Sequence, residues 1–251
     1  MSCPAPLPAA ETACRGIVLV DKPVGPSSFR MVQLVRRALG VRKVGHAGTL
    51  DPFASGLLVV AVGREATRLM PRLMAGDKEY LARVRLGQET DTGDHTGRVL
   101  AELPVPVLER PAVMAILAGF LGPGLQEPPS FSALKHQGRP LYAYARQGQT
   151  VPKEPRPVVI HELELVAMAD VELELSVRCS KGTYIRTLAR DLGRALGCGG
   201  HLTALRRLAS GPFRVAAAVD GRALMAPEAP AVLRVSCLPI EQVLQRLDED
   251  A

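Results

Sequence analysis

Residues Val171 to Cys179 read Val-Glu-Leu-Glu-Leu-Ser-Val-Arg-Cys, apolar and polar in strict alternation. A strand with that period buries one face and offers the other to water or to a partner. Lys78 to Leu86 alternates well enough to be another, and Val158 to Val166 reads as a third. Gly16-Ile17-Val18-Leu19-Val20 and Leu57-Leu58-Val59-Val60-Ala61-Val62 are apolar runs of strand length, the pattern of buried strands. A last strand is expected around 213–219. Helical patterns fall between these strands without regular βαβ alternation, so the fold class is α+β. It should be an extended mixed, largely antiparallel central sheet flanked by helices and loops.

The helices follow from spacing. Ser27 or Ser28 caps a helix whose buried face is Met31, Leu34, Val35, Ala38 and Leu39, ended by Gly40. A second starts near Arg64, with Pro71 expected to kink or split it. Residues 109–121 and 140–147 give short helices. Thr183 can cap one with Ile185, Leu188, Ala189, Leu192 and Leu196 inward, and 201–208 reads as a further short helix. Of the arginines on the outer face of the 183–196 helix, Arg190 and Arg194 read as solvated. Asp91-Thr92-Gly93 has polar flanks and reads as a surface turn.

The most unusual stretch runs from Lys43 to Leu58. It sets His46 and Asp51 among Gly45, Gly48 and Gly56, between a helical pattern and an apolar run. Asp51 precedes Pro52, which pushes its backbone toward extended conformation and places it in a loop. The residues alone allow either a catalytic carboxylate at a sheet edge or a tight turn whose aspartate caps its own backbone. From Gly122 to Pro157 the chain is loop-rich and carries Lys135, His136, Arg139, Tyr142, Tyr144 and Arg146, a mixture suited to RNA. A solvated loop with two packed tyrosines fits the same residues.

The net charge of +6, carried mostly by arginine, favours an anionic partner, and nucleic acid above a membrane surface. No apolar run is long enough for a membrane span. The five cysteines, Cys3, Cys14, Cys179, Cys198 and Cys237, lack any Cys-x-x-Cys pair; neither a zinc site nor a disulfide framework is expected, and the setting should be reducing and cytoplasmic. Residues 1–15 read as a disordered lead-in and the stretch from Asp220 as a poorly patterned tail.

Four colinear segments carry a resemblance. Gly45-His46-Ala47-Gly48-Thr49-Leu50-Asp51-Pro52, followed by Ala54-Ser55-Gly56, is similar to the signature of the TruB family of pseudouridine synthases. Val20 to Ser28 resembles that family's opening strand and turn. Asp77-Lys78-Glu79-Tyr80 resembles its Lys-x-Tyr strand start, and Lys181-Gly182-Thr183-Tyr184-Ile185-Arg186-Thr187 its late motif, with Leu205-Arg206-Arg207 trailing. The resemblance implies isomerisation of uridine to pseudouridine at position 55 in the T-loop of tRNA. It implies no metal, nucleotide or organic cofactor, and a monomer whose partner is the tRNA T-arm, with no protein partner and no membrane. Asp51 matches the nucleophile, attacking either the uracil ring or the ribose C1′. Arg186 matches the arginine that pairs with it, and Tyr80 the aromatic that stacks on the flipped base and takes part in catalysis. His46 matches the histidine that inserts into the T-loop, Tyr184 and Leu205 match pocket-lining positions, and Lys22 is a support for the loop. The implied organisation is a catalytic domain over 16–219, with 122–157 as an RNA-gripping insertion, and a tail over 220–251 that is too short for a complete PUA domain.

Three rival readings remain at this stage. A guide-RNA-dependent synthase shares the aspartate motif but relies on a PUA domain. An RNA chaperone of the same fold would bind tRNA without needing Asp51. A nucleotide enzyme would want a G-x-x-x-x-G-K-[ST] or G-x-G-x-x-G loop opening a helix, and neither occurs.

Overall fold

The computed structural model describes residues 14–132, 134–149 and 151–250; the lead-in expected over 1–15 lies, up to residue 13, outside the described residues. In chain order the first elements are β1 (Gly16–Lys22), α1 (Ser28–Leu39), β2 (Val44–Ala47), β3 (Ser55–Val62), α2 (Arg64–Arg68) and α3 (Met70–Ala75). Next come β4 (Lys78–Leu86), β5 (Gln88–Thr90), β6 (Val99–Glu102), α4 (Arg110–Ala118), β7 (Gly122–Gln126), β8 (Lys135–His136), β9 (Arg139–Pro140) and α5 (Leu141–Ala145). β10 (Arg156–Ala169), β11 (Glu172–Cys179), α6 (Ile185–Ala195) and β12 (Gly200–Ser210) follow. β13 (Phe213–Arg214), β14 (Val219–Asp220), α7 (Ala229–Val235), β15 (Leu238–Pro239) and α8 (Ile240–Glu249) complete the series. The class is the expected α+β. The chain forms two compact units, one with the described residues up to Pro52, Gly56–Met74 and Pro212 onward, the other with Phe53–Ser55 and Ala75–Gly211.

In the first unit β1 is the middle strand. It pairs antiparallel with β3 from Gly16↔Val62 to Lys22↔Gly56, antiparallel with β15, and parallel with β14. Alternation along β1 sends Val18 and Val20 to one face, against Met31, Val32 and Val35 of α1 and Leu224 and Leu233. Ile17 and Leu19 go to the other face, against Ala66, Leu73, Val243 and Leu247. Both faces are covered, which is why β1 and β3 read as unbroken apolar runs. α1 starts where the Ser27 hydroxyl accepts from the Arg30 N–H at 3.2 Å, and it ends at Gly40 in the left-handed region, φ 65°.

Two expectations need correction here. The stretch from Asp220 is patterned after all: Leu233 of α7 and Val243 and Leu247 of α8 are core residues on opposite faces of β1. Cys14 and Cys237 form a disulfide, with Cα atoms 6.1 Å apart across a sequence separation of 223 residues. β15 beside β1 brings the two cysteines together, a proximity that spacing along the chain does not show.

The second unit is an antiparallel sheet in the order β12-β4-β11-β10-β7. Lys78, Tyr80, Ala82, Val84 and Leu86 of β4 share its buried face. Residues 201–208, expected as a helix, lie in strand β12. Register shifts at Leu202/Ala204 and Arg207/Ala209 break its alternation, so Leu202 and Leu205 fall three apart and imitate a helical period. At α6 the N-cap is Tyr184 rather than Thr183, whose hydroxyl donates to the Ser180 carbonyl at 2.9 Å. Arg190 and Arg194 are paired, with Asp191 and Glu89 respectively. The bidentate Arg194 fork holds the Glu89 carboxyl below its ordinary range. Among the described residues no helix is long and apolar enough to cross a membrane.

Candidate active site

In the first unit the loop that carries Asp51 is held on both sides of the aspartate. Before it, the Ser28 hydroxyl donates to the Leu50 carbonyl at 2.9 Å and accepts from the Leu50 N–H at 2.8 Å. After it, the Pro52 carbonyl accepts from the Gly25 N–H at 2.8 Å and from Lys22 Nζ at 3.4 Å. Lys22 is wholly buried and also donates to the carbonyls of Pro23 and Pro26, each at 2.9 Å. A buried ammonium is tolerated only when donors and acceptors match, and here three carbonyls converge on it. The turn that leads from Lys22 at the end of β1 through Pro26 into α1 is thereby stapled to the Asp51 loop, and Asp51 itself is left half-buried. Gly48 in this loop has φ 92°, a conformation that disfavours any side chain. His46 is half-buried on β2, opposite Val60 of β3.

The second unit carries the other candidates. Tyr80 on β4 is flanked by Val177 of β11 and Arg207 of β12, and Leu205, opposite Ala82, is its diagonal neighbour on the same face. Tyr184 and Arg186 stand at the start of α6. The Gln126 side-chain amide clasps the Tyr184 backbone, accepting from its N–H at 2.7 Å and donating to its carbonyl at 3.1 Å. Arg186 is buried, and its two terminal nitrogens donate to the carbonyls of Thr92, 2.7 Å, and Phe131, 2.8 Å. The Asp94 carboxylate lies 4.0 Å from it. Asp94 is also buried, and accepts from the Thr92 hydroxyl and from the N–H and hydroxyl of Thr96. Gly93, φ 75°, lets this turn approach closely: a Cβ there would sit 3.2 Å from the Arg186 Cβ.

Residues 91–94 are therefore not the plain surface turn expected but the seat of the Arg186 guanidinium. Sequence reasoning also missed Ser28 as a loop pin and Arg207 as a fully buried cation opposite Tyr80. Only the polar run Asp91-Thr92-Gly93-Asp94 gave a usable signal. Beside Tyr80, burial and then the nearby Arg207 charge push the Lys78 ammonium down to about 8, while burial pushes the Cys179 thiol across the strand up to about 11.

A largely antiparallel α+β fold of this kind is that of the pseudouridine synthases. A solved Cbf5–Nop10–Gar1 complex contains a chain that matches with TM-score 0.70 at 26% identity, over 93% of this chain and 63% of that one. A chain of the archaeal box H/ACA sRNP Nop10–Cbf5 complex matches with TM-score 0.67 at 26% identity, over 93% and 62%. In sequence, residues 36–185 match the TruB family pseudouridylate synthase N-terminal domain and 186–245 the tRNA pseudouridylate synthase B C-terminal domain. The tRNA pseudouridine synthase B of Desulfotalea psychrophila is 50% identical over 91% of this chain and 95% of its own length. That of Chromohalobacter salexigens is 49% identical over 94% and 76%. The chain belongs to the TruB family of pseudouridine synthases and is an isomerase.

Proposed function

We propose that this chain converts uridine 55 in the T-loop of tRNA to pseudouridine, as a cytoplasmic monomer, with Asp51 as nucleophile. The observation that carries this reading is the clamped loop: Leu50 and Pro52 are fixed by Ser28, Gly25 and Lys22, so the backbone that presents the Asp51 carboxylate is held on both sides. The target base is flipped out of the T-loop, at a cost of a few kcal/mol. The Asp51 carboxylate then adds to the uracil ring or to C1′. The C1′–N1 bond breaks, the uracil turns, and a C1′–C5 bond forms. Loss of the C5 proton, gain of one at N1 and release of the carboxylate complete an isomerisation that consumes nothing.

In this reading Arg186 favours the ionised carboxylate, and its seat on Thr92, Phe131 and Asp94 sets where its charge is delivered. Tyr80 stacks on the flipped uracil, Leu205 and Tyr184 line the pocket, His46 holds the opened T-loop, and Lys22 supports the loop. Residues 122–157 grip the RNA. This is supported by Arg139 and Arg146 stacked over Tyr144 and Tyr142, at 5.0 and 5.5 Å from the ring centroids, a cation–aromatic surface for phosphates and bases.

The test is pseudouridine mapping on unmodified tRNA with the purified chain and its Asp51→Asn variant. Conversion at position 55 by the wild type, lost in the variant with tRNA binding kept, is the expected result. Conversion by the variant at the wild-type rate removes Asp51 as nucleophile.

A further inference from the structure

A cleft of about 410 Å³ opens in the first unit between α1 and the segment Leu224–Pro230. Leu34 and Leu224, both buried, form its floor, and the exposed Met225 forms part of its wall. Arg30 and Arg37 also line it, two helical turns apart on one side of α1, which is about 10 Å along the axis. Both are exposed, neither has a carboxylate partner among the described residues, and no carboxylate lines the cleft. Its volume falls in the range of ligand sites, and its chemistry calls for a flat, largely apolar body carrying negative charge at its ends.

We infer that this cleft is a second RNA-binding site, which takes an unpaired nucleotide of the bound tRNA: the base lies on Leu34, Leu224 and Met225, and the flanking phosphates meet Arg30 and Arg37. The inference rests on the RNA-modifying reading for its choice of occupant. The two arginines and the absence of a lining carboxylate select an anionic occupant, and the RNA-modifying reading selects RNA over an acidic peptide. The guanidinium fork matches phosphate oxygens bidentately, and two such forks bracket a surface suited to stacking. α1, whose arginines line the cleft, is also the helix that holds the Asp51 loop: Ser28, its first residue, is bonded to Leu50.

Two variants of the full chain separate charge from occupancy. Arg30→Gln/Arg37→Gln should weaken binding of unmodified tRNA about tenfold and make the slope of log Kd against log salt shallower by about 1.4, the counterion release of two single-strand phosphates. Ala38→Phe fills the cleft without changing charge, and should weaken binding several-fold with the slope unchanged; melting curves check that both variants fold. Unchanged tRNA affinity in Ala38→Phe overturns the nucleotide site, and so does an unchanged salt slope in the arginine variant, whether or not poly-glutamate competes for the cleft. Because the readout is binding, a chain that binds tRNA but forms no pseudouridine would refute the catalytic reading and still decide the cleft.

Discussion

Replacing Ser28 with Ala should damage catalysis far more than its place at the start of a helix suggests. The hydroxyl is 2% exposed and satisfies both polar groups of Leu50, at 2.9 and 2.8 Å, so the alanine leaves a buried N–H and a buried carbonyl without their partner. At roughly 1 kcal/mol per lost bond, with a further desolvation penalty for groups stranded in the interior, the cost is about 2–4 kcal/mol. The strain falls on the residue before Asp51. A displacement of about 1 Å at a reacting group can reduce rate on the order of a hundredfold. Urea unfolding measures the first effect. Single-turnover release of tritium from tRNA labelled at uracil C5 measures the second, and should slow by about 10- to 100-fold. Ser27→Ala is the internal control: it removes the exposed N-cap and should cost about 1 kcal/mol with the rate preserved. If Ser28→Ala behaves like Ser27→Ala in both measurements, the loop is not pinned by Ser28 and the reasoning fails.

Asp94→Asn keeps the size of the side chain but removes the charge 4.0 Å from Arg186, and should slow single turnover by about tenfold, a loss near 1.4 kcal/mol, with tRNA affinity within twofold of wild type; an unchanged rate would make the Asp94 network irrelevant to Arg186. In the unreduced, denatured chain Cys14 and Cys237 should not react with a thiol reagent, and Cys14→Ser/Cys237→Ser should lower stability by up to about 5 kcal/mol on the chain-entropy account of a 223-residue separation. Five thiols without reductant would refute the disulfide. Lys78, held near 8 when folded against an ordinary value of 10.5, is charged in both states below pH 8, so its burial cost is fully present there. Between about pH 8 and 10.5 the unfolded chain binds more protons, and stability gains from Lys78 as pH rises. Cys179, held near 11, opposes this from about pH 9 upward, so the contrast is taken against Lys78→Met: the wild type should gain on the variant across that window, and parallel curves would refute the assignment.

What the chain reveals by itself is what short-range physics decides. Strict alternation over Val171–Cys179 reads as a half-covered strand, and the apolar runs at β1 and β3, of strand length, read as buried strands. Glycines flanking an aspartate before proline likewise mark a loop whose backbone, rather than its side chains, is specified. Four spaced motifs were enough to place the chain in its family. Tertiary structure decided whatever depends on partners far along the chain. Two bulges turned the apparent helix at 201–208 into β12, because register is set by the strand opposite and not by the segment itself. α7 and α8 became core because β1 had a face for each to cover, which no pattern inside residues 220–251 could show. Ser27 and Ser28 are adjacent and chemically identical, yet one caps a helix in solvent and the other clamps the Asp51 loop, since only one points at Leu50. Asp94 and Arg186 lie 92 residues apart in sequence and meet because Gly93 has no side chain to keep them apart.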